Sequence, residues 1–485
     1  MKGLLRNTED KLIRIIECIE EMELKRKLIG DRHFYKKVAI IALPVLVQNI
    51  ITNFVSLVDN IMVGQIGTEQ MSGVAIVNQL IFVFNICIFG GISGAGIFTA
   101  QYFGKGDHKG VRDTFRAKII ICLAVTVIAT VALFFYNDGL ISLFLHQSDD
   151  GLDLLKTLGF AKDYIYIIII GLLPFALTQA YSGTLRETGQ TVVPMCAGIA
   201  AFVTNICLNY VLIFGKLGAP ELGVKGAAIA TVIARYVECL FVIIWTHANK
   251  NKCKFIKGTY KSFIIPKALV KDIATKGAPL IFNEIMWSLG TTMLVQCYSV
   301  RGLEAVSAMN ISSTVSNLFF CAFFALGSAV SIIVGQLLGA GELDRAVDED
   351  RKLIALAVFL CFVIGTALVI MAPLFPAVYN TTDSIKEIAT SLLRVAAVAM
   401  PVSAFVHMAY FTLRSGGKTI VTFLFDSVFV WGASIPLAFV LSRFTDLSVL
   451  WLYIAVNALE IIKAVIGFVM LKKKLWVQNL VKGEN

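Results

Sequence analysis

Twelve long apolar runs constrain this chain more than any other feature of its sequence. Each run holds about 20 or more mainly apolar residues, the length that an α-helix needs to cross a bilayer. The runs lie near residues 38–63, 74–103, 117–136, 160–185, 190–214, 224–247, 273–299, 306–337, 352–375, 386–413, 418–442 and 447–471. Their continuous hydrophobicity favours helices over the alternating strands of an outer-membrane barrel. We therefore expect an all-α integral membrane protein with twelve transmembrane helices.

The composition agrees with this class. The 485 residues are 57% hydrophobic and 16% charged, whereas soluble domains carry about 25% charged residues. The basic residues behind the net charge of +10 lie between apolar runs and form no single patch, so we expect no nucleic-acid partner. The ten cysteines are scattered and show no metal-ligand spacing. We expect no disulfide, no cofactor and no metal other than a transported Na⁺.

Lysine and arginine predict the orientation of the chain in the membrane. With the N-terminus taken as cytoplasmic, 32 of these residues fall in the loops and ends on the inner side and 6 on the outer side. Basic residues concentrate in cytoplasmic loops. The split therefore predicts a multi-pass protein of the inner (plasma) membrane with both termini in the cytoplasm.

The sequence contains an internal repeat. AQYFGKGD (100–107) matches GQLLGAGE (335–342) at an offset of 235, and TLRETGQT (184–191) matches TLRSGGKT (412–419) at an offset of 228. The chain therefore consists of two similar six-helix lobes. Because six is even, both lobes enter the membrane in the same sense, related by a pseudo-two-fold axis along the membrane normal. A substrate site is expected between the lobes, lined by spans 1, 2, 7 and 8.

These features predict five segments. They are a cytoplasmic amphipathic segment (1–37), the N-terminal lobe (38–248), a basic cytoplasmic linker (249–272), the C-terminal lobe (273–471) and a cytoplasmic tail (472–485). Within the first segment, apolar residues recur at helical spacing among charges over 8–29. This pattern is typical of a helix lying on the inner leaflet, and a regulatory or partner-binding helix is the alternative.

Three motifs carry a resemblance to a known family. LVDNIMVG (57–64), QYFGKGD (101–107) and NICLNYVLIFGKLGAPELGVKGAAIAT (205–231) resemble the multidrug and toxic compound extrusion family, over nearly the whole chain from about residue 35. The resemblance implies a secondary antiporter that expels cationic or amphipathic organic compounds by alternating access, in exchange for Na⁺ or H⁺. We expect a monomer in the lipid bilayer. HExxH and GxSxG motifs are absent from the sequence, which argues against an enzyme.

The resemblance also implies ion-coupling residues in the first lobe. The acidic residue of span 1 falls on Asp59, its span 5 partners fall on Asn205 and Asn209, and a span 6 hydroxyl falls on Thr231. One branch of the family carries a second carboxylate where this chain has Asn209. That difference leaves the choice between Na⁺ and H⁺ open.

In the second lobe, the implied coupling residue is Glu284 in span 7. An aspartate of the sodium-coupled branch falls near Ser403, so the site is expected to contain Glu284 alone or with His407 as a helper. A lone histidine in a span is more often a packing residue, which is the alternative for His407.

The residues themselves also single out Asp59. A carboxylate near a helix centre costs about 2.5–3.5 kcal/mol on insertion scales, and less towards the interface. The cost is tolerable if Asp59 faces the cleft and binds a cation or a proton. The alternative is a carboxylate that reaches the lipid headgroups.

Five side chains are candidates for the substrate cleft: Gln48, Asn53, Tyr181, Trp287 and His407. Aromatic rings attract organic cations, although aromatic residues in spans mostly serve packing. A flippase for a lipid-linked oligosaccharide or cell-wall precursor is the alternative function. Such a cleft should present several basic residues to a pyrophosphate, whereas the best-placed intramembrane charges here are acidic.

Overall fold

The computed structural model describes residues 28–143 and 154–482. Twelve long helices make up most of this part of the chain: α1 Arg32–Gly64, α2 Thr68–Lys105, α3 His108–Phe135, α4 Leu154–Glu187, α5 Val192–Phe214, α6 Gly223–Ala248, α7 Lys267–Ser299, α8 Leu303–Ala340, α9 Leu343–Met371, α10 Asp383–Ser415, α11 Thr419–Phe444 and α12 Val449–Lys472. Short helices lie at Asn137–Ser142 and Leu374–Ala377. The predicted amphipathic segment 8–29 lies outside the described residues except for its last two positions.

Eleven of the twelve helices are long and apolar enough to cross a membrane by length and composition. The exception is α7, which spans 33 residues but carries Asn283, Glu284 and several hydroxyl side chains in its middle. Polar residues of this kind are tolerated in a membrane helix when they face the interior of the bundle. The predicted site residue Glu284 thus lies in the one long helix of the described residues that does not meet this criterion.

The helix ends follow local signals in the sequence. The Asp31 carboxylate accepts a 2.7 Å hydrogen bond from the Phe34 backbone and caps α1. Gly106 and Gly341 end α2 and α8 with φ of 79° and 82°, a conformation that favours glycine. α1 and α7 begin earlier than the predicted boundaries at 38 and 273, because capping and charged residues extend a helix beyond its apolar core.

The helices form two lobes. α1–α6 pack together, α7–α12 pack together, and the lobes meet where α1 contacts α8 and where α2 contacts both α7 and α8. Because α1 and α7 are repeat mates, as are α2 and α8, the interface has the pseudo-two-fold symmetry of the sequence. The predicted all-α, twelve-helix, two-lobe architecture is confirmed.

The linker joins the lobes on one face of the bundle, called the linker face here. Residues 249–266 connect α6 to α7, and the Arg116 guanidinium of α3 donates 2.8 Å hydrogen bonds to the carbonyls of Gly258 and Thr259. The Phe255 ring packs against Phe115 of α3, with 5.2 Å between ring centroids. The linker is therefore fixed to the N-terminal lobe.

Candidate functional site

The N-terminal lobe brings together the four coupling residues expected there. Asn209 Nδ2 donates a 2.5 Å hydrogen bond to Asp59 Oδ1 and lies 3.2 Å from Asn205 Oδ1. Asn205 Nδ2 in turn lies 3.5 Å from the Thr231 hydroxyl. Asn205 and Asn209 are one turn apart on α5, so both face α1 and α6. Both asparagines are buried, which means that their polar atoms depend on each other for hydrogen bonds.

Two further residues complete this cluster. The Tyr164 hydroxyl lies beside Thr231, and Arg235 interacts electrostatically with both Tyr164 and Asp59. The Arg235 guanidinium also lies 5.3 Å from the ring centroid of Phe175. The sequence patterns did not assign Tyr164 or Arg235 to this site. The available signal was the spacing of Arg235, one turn after Thr231 on the same helix.

The C-terminal lobe contains a second polar cluster, centred on Asn283 of α7. Asn283 Nδ2 lies 3.2 Å from Asp426 Oδ2 and 3.3 Å from the Tyr410 hydroxyl. The Ser427 hydroxyl donates 2.8 Å to Asn283 Oδ1. Lys463 of α12 donates 2.7 Å to Asp426 Oδ1 and is nearly inaccessible to solvent. The buried charge of Asp426 is thus balanced by an ammonium group.

Glu284 adjoins this cluster through its neighbours. It interacts with the Arg414 guanidinium, the Asp426 carboxylate and the Tyr410 hydroxyl. Arg414 lies 5.6 Å from the ring centroid of Phe89 on α2. The charge network of the second lobe therefore reaches the lobe interface.

The second carboxylate near Glu284 is Asp426. The family resemblance places an aspartate of the sodium-coupled branch near Ser403 in span 10, whose carbonyl accepts a 2.8 Å hydrogen bond from His407 Nδ1. The sequence patterns did not indicate a role for Asp426 or Lys463. The signal for them was a single carboxylate in span 11 and a single lysine in span 12. Asp426 lies in the first of two successive π-helical stretches, Leu424–Val428 and Val430–Ser434, and π-helical turns are frequent at functional sites.

The five cleft candidates do not form one group. The Gln48 side chain lies near Gly198 of α5, within the N-terminal lobe. Asn53 Nδ2 lies 3.2 Å from Cys321 Sγ on α8 and so spans the lobe interface. Tyr181 is buried, and its hydroxyl hydrogen-bonds to Tyr260 of the linker. This position is at the linker face, away from Asn53.

The other two candidates belong to the C-terminal lobe. Trp287 is 39% exposed, one turn after Glu284 on α7. His407 is half-buried, with its ring 5.4 Å from that of Phe323 and within electrostatic reach of Asp426. A role in the cleft stays a prediction for all five.

The lobes are closed against each other at the linker face. Gln101 Nε2 of α2 donates 3.1 Å to the Ser415 carbonyl, and Gln336 Nε2 of α8 donates 2.8 Å to the Glu187 carbonyl. Gln101 and Gln336 are repeat mates, so the two bonds are related by the pseudo-two-fold axis. A Cβ atom on Gly104 would collide with the Gln336 carbonyl oxygen, so only glycine allows this approach.

No group of three or more His, Cys, Asp or Glu residues that could hold a metal ion occurs within 28–143 and 154–482. Oxygen atoms that a transported cation could use do occur around Asp59, on Asn205, Asn209 and Thr231. Carboxylate, amide and hydroxyl oxygens are suitable ligands for a hard cation. The predicted absence of a cofactor stays a prediction.

Relatives of known name match most of the chain. A probable multidrug resistance protein NorM from Thermotoga maritima is 25% identical over 448 residues, which cover 92% of this chain and 94% of that protein. A probable multidrug resistance protein YoeA from Bacillus subtilis is 26% identical over 436 residues, covering 87% and 90%. The similarity therefore includes both lobes.

Solved structures share the fold. A multidrug resistance MATE family transporter of the MOP superfamily, in an outward-facing conformation, aligns with a TM-score of 0.82 at 19% identity, over 93% of this chain and 97% of that one. A MOP superfamily transporter from Pyrococcus furiosus, described as having a binding pocket of reverse polarity, aligns with a TM-score of 0.81 at 19% identity, over the same shares. At this identity the likeness shows the fold alone.

The family is shown by a match to its sequence model. The MatE model matches residues 44–211 and 279–440, one segment in each lobe and more than half of the chain. The two matched segments correspond to the internal repeat. The chain therefore belongs to the MatE family of multidrug and toxic compound extrusion transporters.

Proposed function

We propose that this chain exports cationic or amphipathic organic compounds in exchange for Na⁺ or H⁺, by alternating access of its two lobes. The observation that carries the proposal is the Asp59 carboxylate in an apolar helix, bound at 2.5 Å by Asn209. A carboxylate at such a position is explained if a cation or proton neutralises it during each cycle. The multidrug resistance names of the relatives support the substrate class.

The Asn209 amide can form a hydrogen bond with Asp59 in both its charged and its protonated form. Its Nδ2 donates to the carboxylate, while its Oδ1 is buried without a hydrogen-bond partner among the described residues. A half-turn of the amide would present Oδ1 to a protonated Asp59 or to Na⁺. Asn205 and Thr231 add neutral oxygen atoms next to it. The proposal includes both Na⁺ and H⁺, and transport under an imposed Na⁺ gradient or an imposed pH gradient distinguishes the two.

Glu284 is the second coupling group in this proposal. Lys463 already forms an ion pair with Asp426 at 2.7 Å. Glu284 has the Arg414 guanidinium in its surroundings but forms no ion pair within 4 Å among the described residues, so it is the carboxylate that we assign to a proton or an organic cation. Trp287, one turn further along α7, could pack against such a cation. Gln48, Asn53, Tyr181 and His407 are the other proposed cleft residues.

The flippase alternative receives less support from the basic residues. Lys118 is fully buried and pairs with Glu187, and Lys463 pairs with Asp426. These lysines are therefore committed to carboxylates within their own lobes. A pyrophosphate would need basic groups that are free to receive it.

The orientation of the protein is also part of the proposal. We place the linker face in the cytoplasm and the protein in the plasma membrane as a monomer, with both ends inside. The hydrogen bonds of Gln101 and Gln336 then close the cytoplasmic side. Opening towards the cytoplasm would break both bonds.

The test is export from sealed vesicles under an imposed Na⁺ gradient and, separately, an imposed pH gradient. Asp59→Asn keeps the size of the side chain but can neither accept a proton nor supply a charge. We expect it to fold and to lose at least about tenfold in gradient-driven export. Asp344→Asn, at an exposed position on α9, is the matched control. Equal export by Asp59→Asn and the parent under both gradients would refute the role of Asp59.

A further inference from the structure

The chain does not leave the bundle after α12. Residues 473–482, called the strap here, follow Lys472 as a non-helical segment and cross the linker face. The strap contacts both lobes. Its first part packs into the C-terminal lobe, and its second part forms hydrogen bonds with the N-terminal lobe.

The first part of the strap is anchored in its own lobe. Trp476 is 1% exposed and belongs to a buried cluster formed mainly by α8, α9 and α10, which also includes residues of α1. Its carbonyl lies so close to Gly416 that any Cβ atom there would collide with it. Asn479 Nδ2 donates 3.3 Å to the Gly339 carbonyl. This half of the strap is therefore part of the C-terminal lobe.

The second part of the strap binds α2 of the other lobe. The Leu480 backbone N–H donates 2.8 Å to Gln101 Oε1, and Gln101 Nε2 lies 3.4 Å from the Gln478 carbonyl. Lys105 Nζ donates 2.6 Å to the Val481 carbonyl. Gln101 also bonds to Ser415, so one side chain connects the strap to the direct contact between the lobes.

An apolar contact joins the strap to both lobes. Val481 is 4% exposed and Leu480 packs beside it. The same cluster contains Ala95, Phe98 and Ala117 from the N-terminal lobe and Leu269 and Ile273 from α7. The end of the strap therefore fills the seam between the lobes with apolar side chains, which favours their closed arrangement.

We infer that the strap is a latch that holds the two lobes together at the linker face. Because it is continuous with α12 and anchored through Trp476, it stays with the C-terminal lobe when the lobes separate. Opening of the linker face then requires release from Gln101 and Lys105. The effect of this latch on transport rests on the proposed alternating access. The latch can be tested separately, because the equilibrium between closed and open lobes is measurable without substrate or an ion gradient.

The repeat supplies matched controls. Gln101 and Gln336 both donate across the lobe interface, but only Gln101 binds the strap. Lys105 corresponds to Ala340 at the offset of 235. Lys105→Ala therefore introduces the residue that the other lobe already has, at an exposed position where folding is not at risk.

The experiment measures the distance between the lobes by double electron–electron resonance in nanodiscs. Spin labels are placed at Lys109→Cys and Asp344→Cys, which are exposed on opposite lobes at the linker face, in a background without the native cysteines. The full chain is compared with a chain that ends after Val477, and with Lys105→Ala. We expect both changes to raise the ratio of long to short distances, by about 3- to 10-fold for Lys105→Ala.

Combined variants separate the latch from a general loosening of the interface. In the chain that ends after Val477, Lys105→Ala should have no further effect, whereas Gln336→Ala should keep its full effect. If the shortened chain does not fold, Lys105→Ala and Leu480→Ala in the full chain decide the question. Distance distributions that stay the same in every strap variant would overturn the latch. An undiminished effect of Lys105→Ala in the shortened chain would overturn it as well.

Discussion

The Asn209 side chain donates a 2.5 Å hydrogen bond to the Asp59 carboxylate, which joins α5 to α1 across 150 positions of the sequence. The same nitrogen lies 3.2 Å from Asn205 Oδ1. Asn209 therefore positions the carboxylate and also connects it to a second amide. Because Asn209 orients the carboxylate but does not carry the charge, its loss should weaken ion binding without removing the charge that binds the ion.

Asn209→Ala should weaken coupling without abolishing it. The variant removes a neutral ligand but keeps the Asp59 charge, so the ion concentration for half-maximal export should rise about tenfold while the maximal rate remains. Export from vesicles at a series of Na⁺ concentrations and pH values measures this. Asn457→Ala is the control, because Asn457 donates a hydrogen bond to the Tyr453 carbonyl of its own helix. Export as in the parent at all concentrations would argue against Asn209 as a ligand.

The Asp426–Lys463 pair should respond as a buried ion pair. Lys463→Met leaves the Asp426 charge uncompensated, which typically costs about 3–5 kcal/mol. We expect a clear fall in the thermal midpoint measured by size-exclusion chromatography in detergent. The double variant Lys463→Met with Asp426→Asn should recover most of the loss. Equal thermal midpoints for the single and double variants would show that the charges are not coupled.

Gly104→Ala should prevent the linker face from closing. A Cβ atom at this position would collide with the Gln336 carbonyl oxygen, and a backbone atom of a packed helix cannot move aside easily. We expect folded protein with transport reduced by about tenfold or more. Gly159→Ala on α4 is the control, since no atom lies within 4 Å of the added methyl group. Normal transport by Gly104→Ala would mean that the lobes need not approach this closely.

Cys253 in the linker should resist thiol labelling at neutral pH. It is 1% exposed, and burial raises the pKa of its thiol from 9.0 to about 11. Because the thiolate is the reactive form, labelling should be slow at neutral pH and accelerate as the pH approaches 11. Maleimide labelling followed by mass spectrometry measures the rate. Rapid labelling of Cys253 at neutral pH would contradict the burial of the thiol.

The exposed neighbour Lys252 is the better reporter of orientation. Lys252→Cys should react rapidly with an impermeant maleimide when the cytoplasmic side is accessible. It should stay unlabelled from outside intact cells, as the distribution of basic residues predicts. Labelling from the outside would reverse the proposed orientation of the linker face.

The helices, their number and the two-lobe arrangement follow from the amino-acid sequence alone. These depend on local properties, namely the length of apolar runs, the capping residues such as Asp31, and the repeat. The sequence also grouped Asp59, Asn205, Asn209 and Thr231 correctly, although only through the family resemblance. Spacing alone could place Asn205 and Asn209 on one helix face, but it could not identify the helix that faces them.

The contacts between polar residues that are distant in the sequence depend on the packing of the whole bundle. The pairing of Asp426 with Lys463, the approach of Arg414 to Phe89, and the passage of the strap to Gln101 each depend on the rotation of a helix about its axis and on its neighbours. Apolar runs without a strong polar face specify that rotation weakly, because lipid and protein interior are almost equally apolar. Packing between helices fixes it, and packing is a property of the whole bundle.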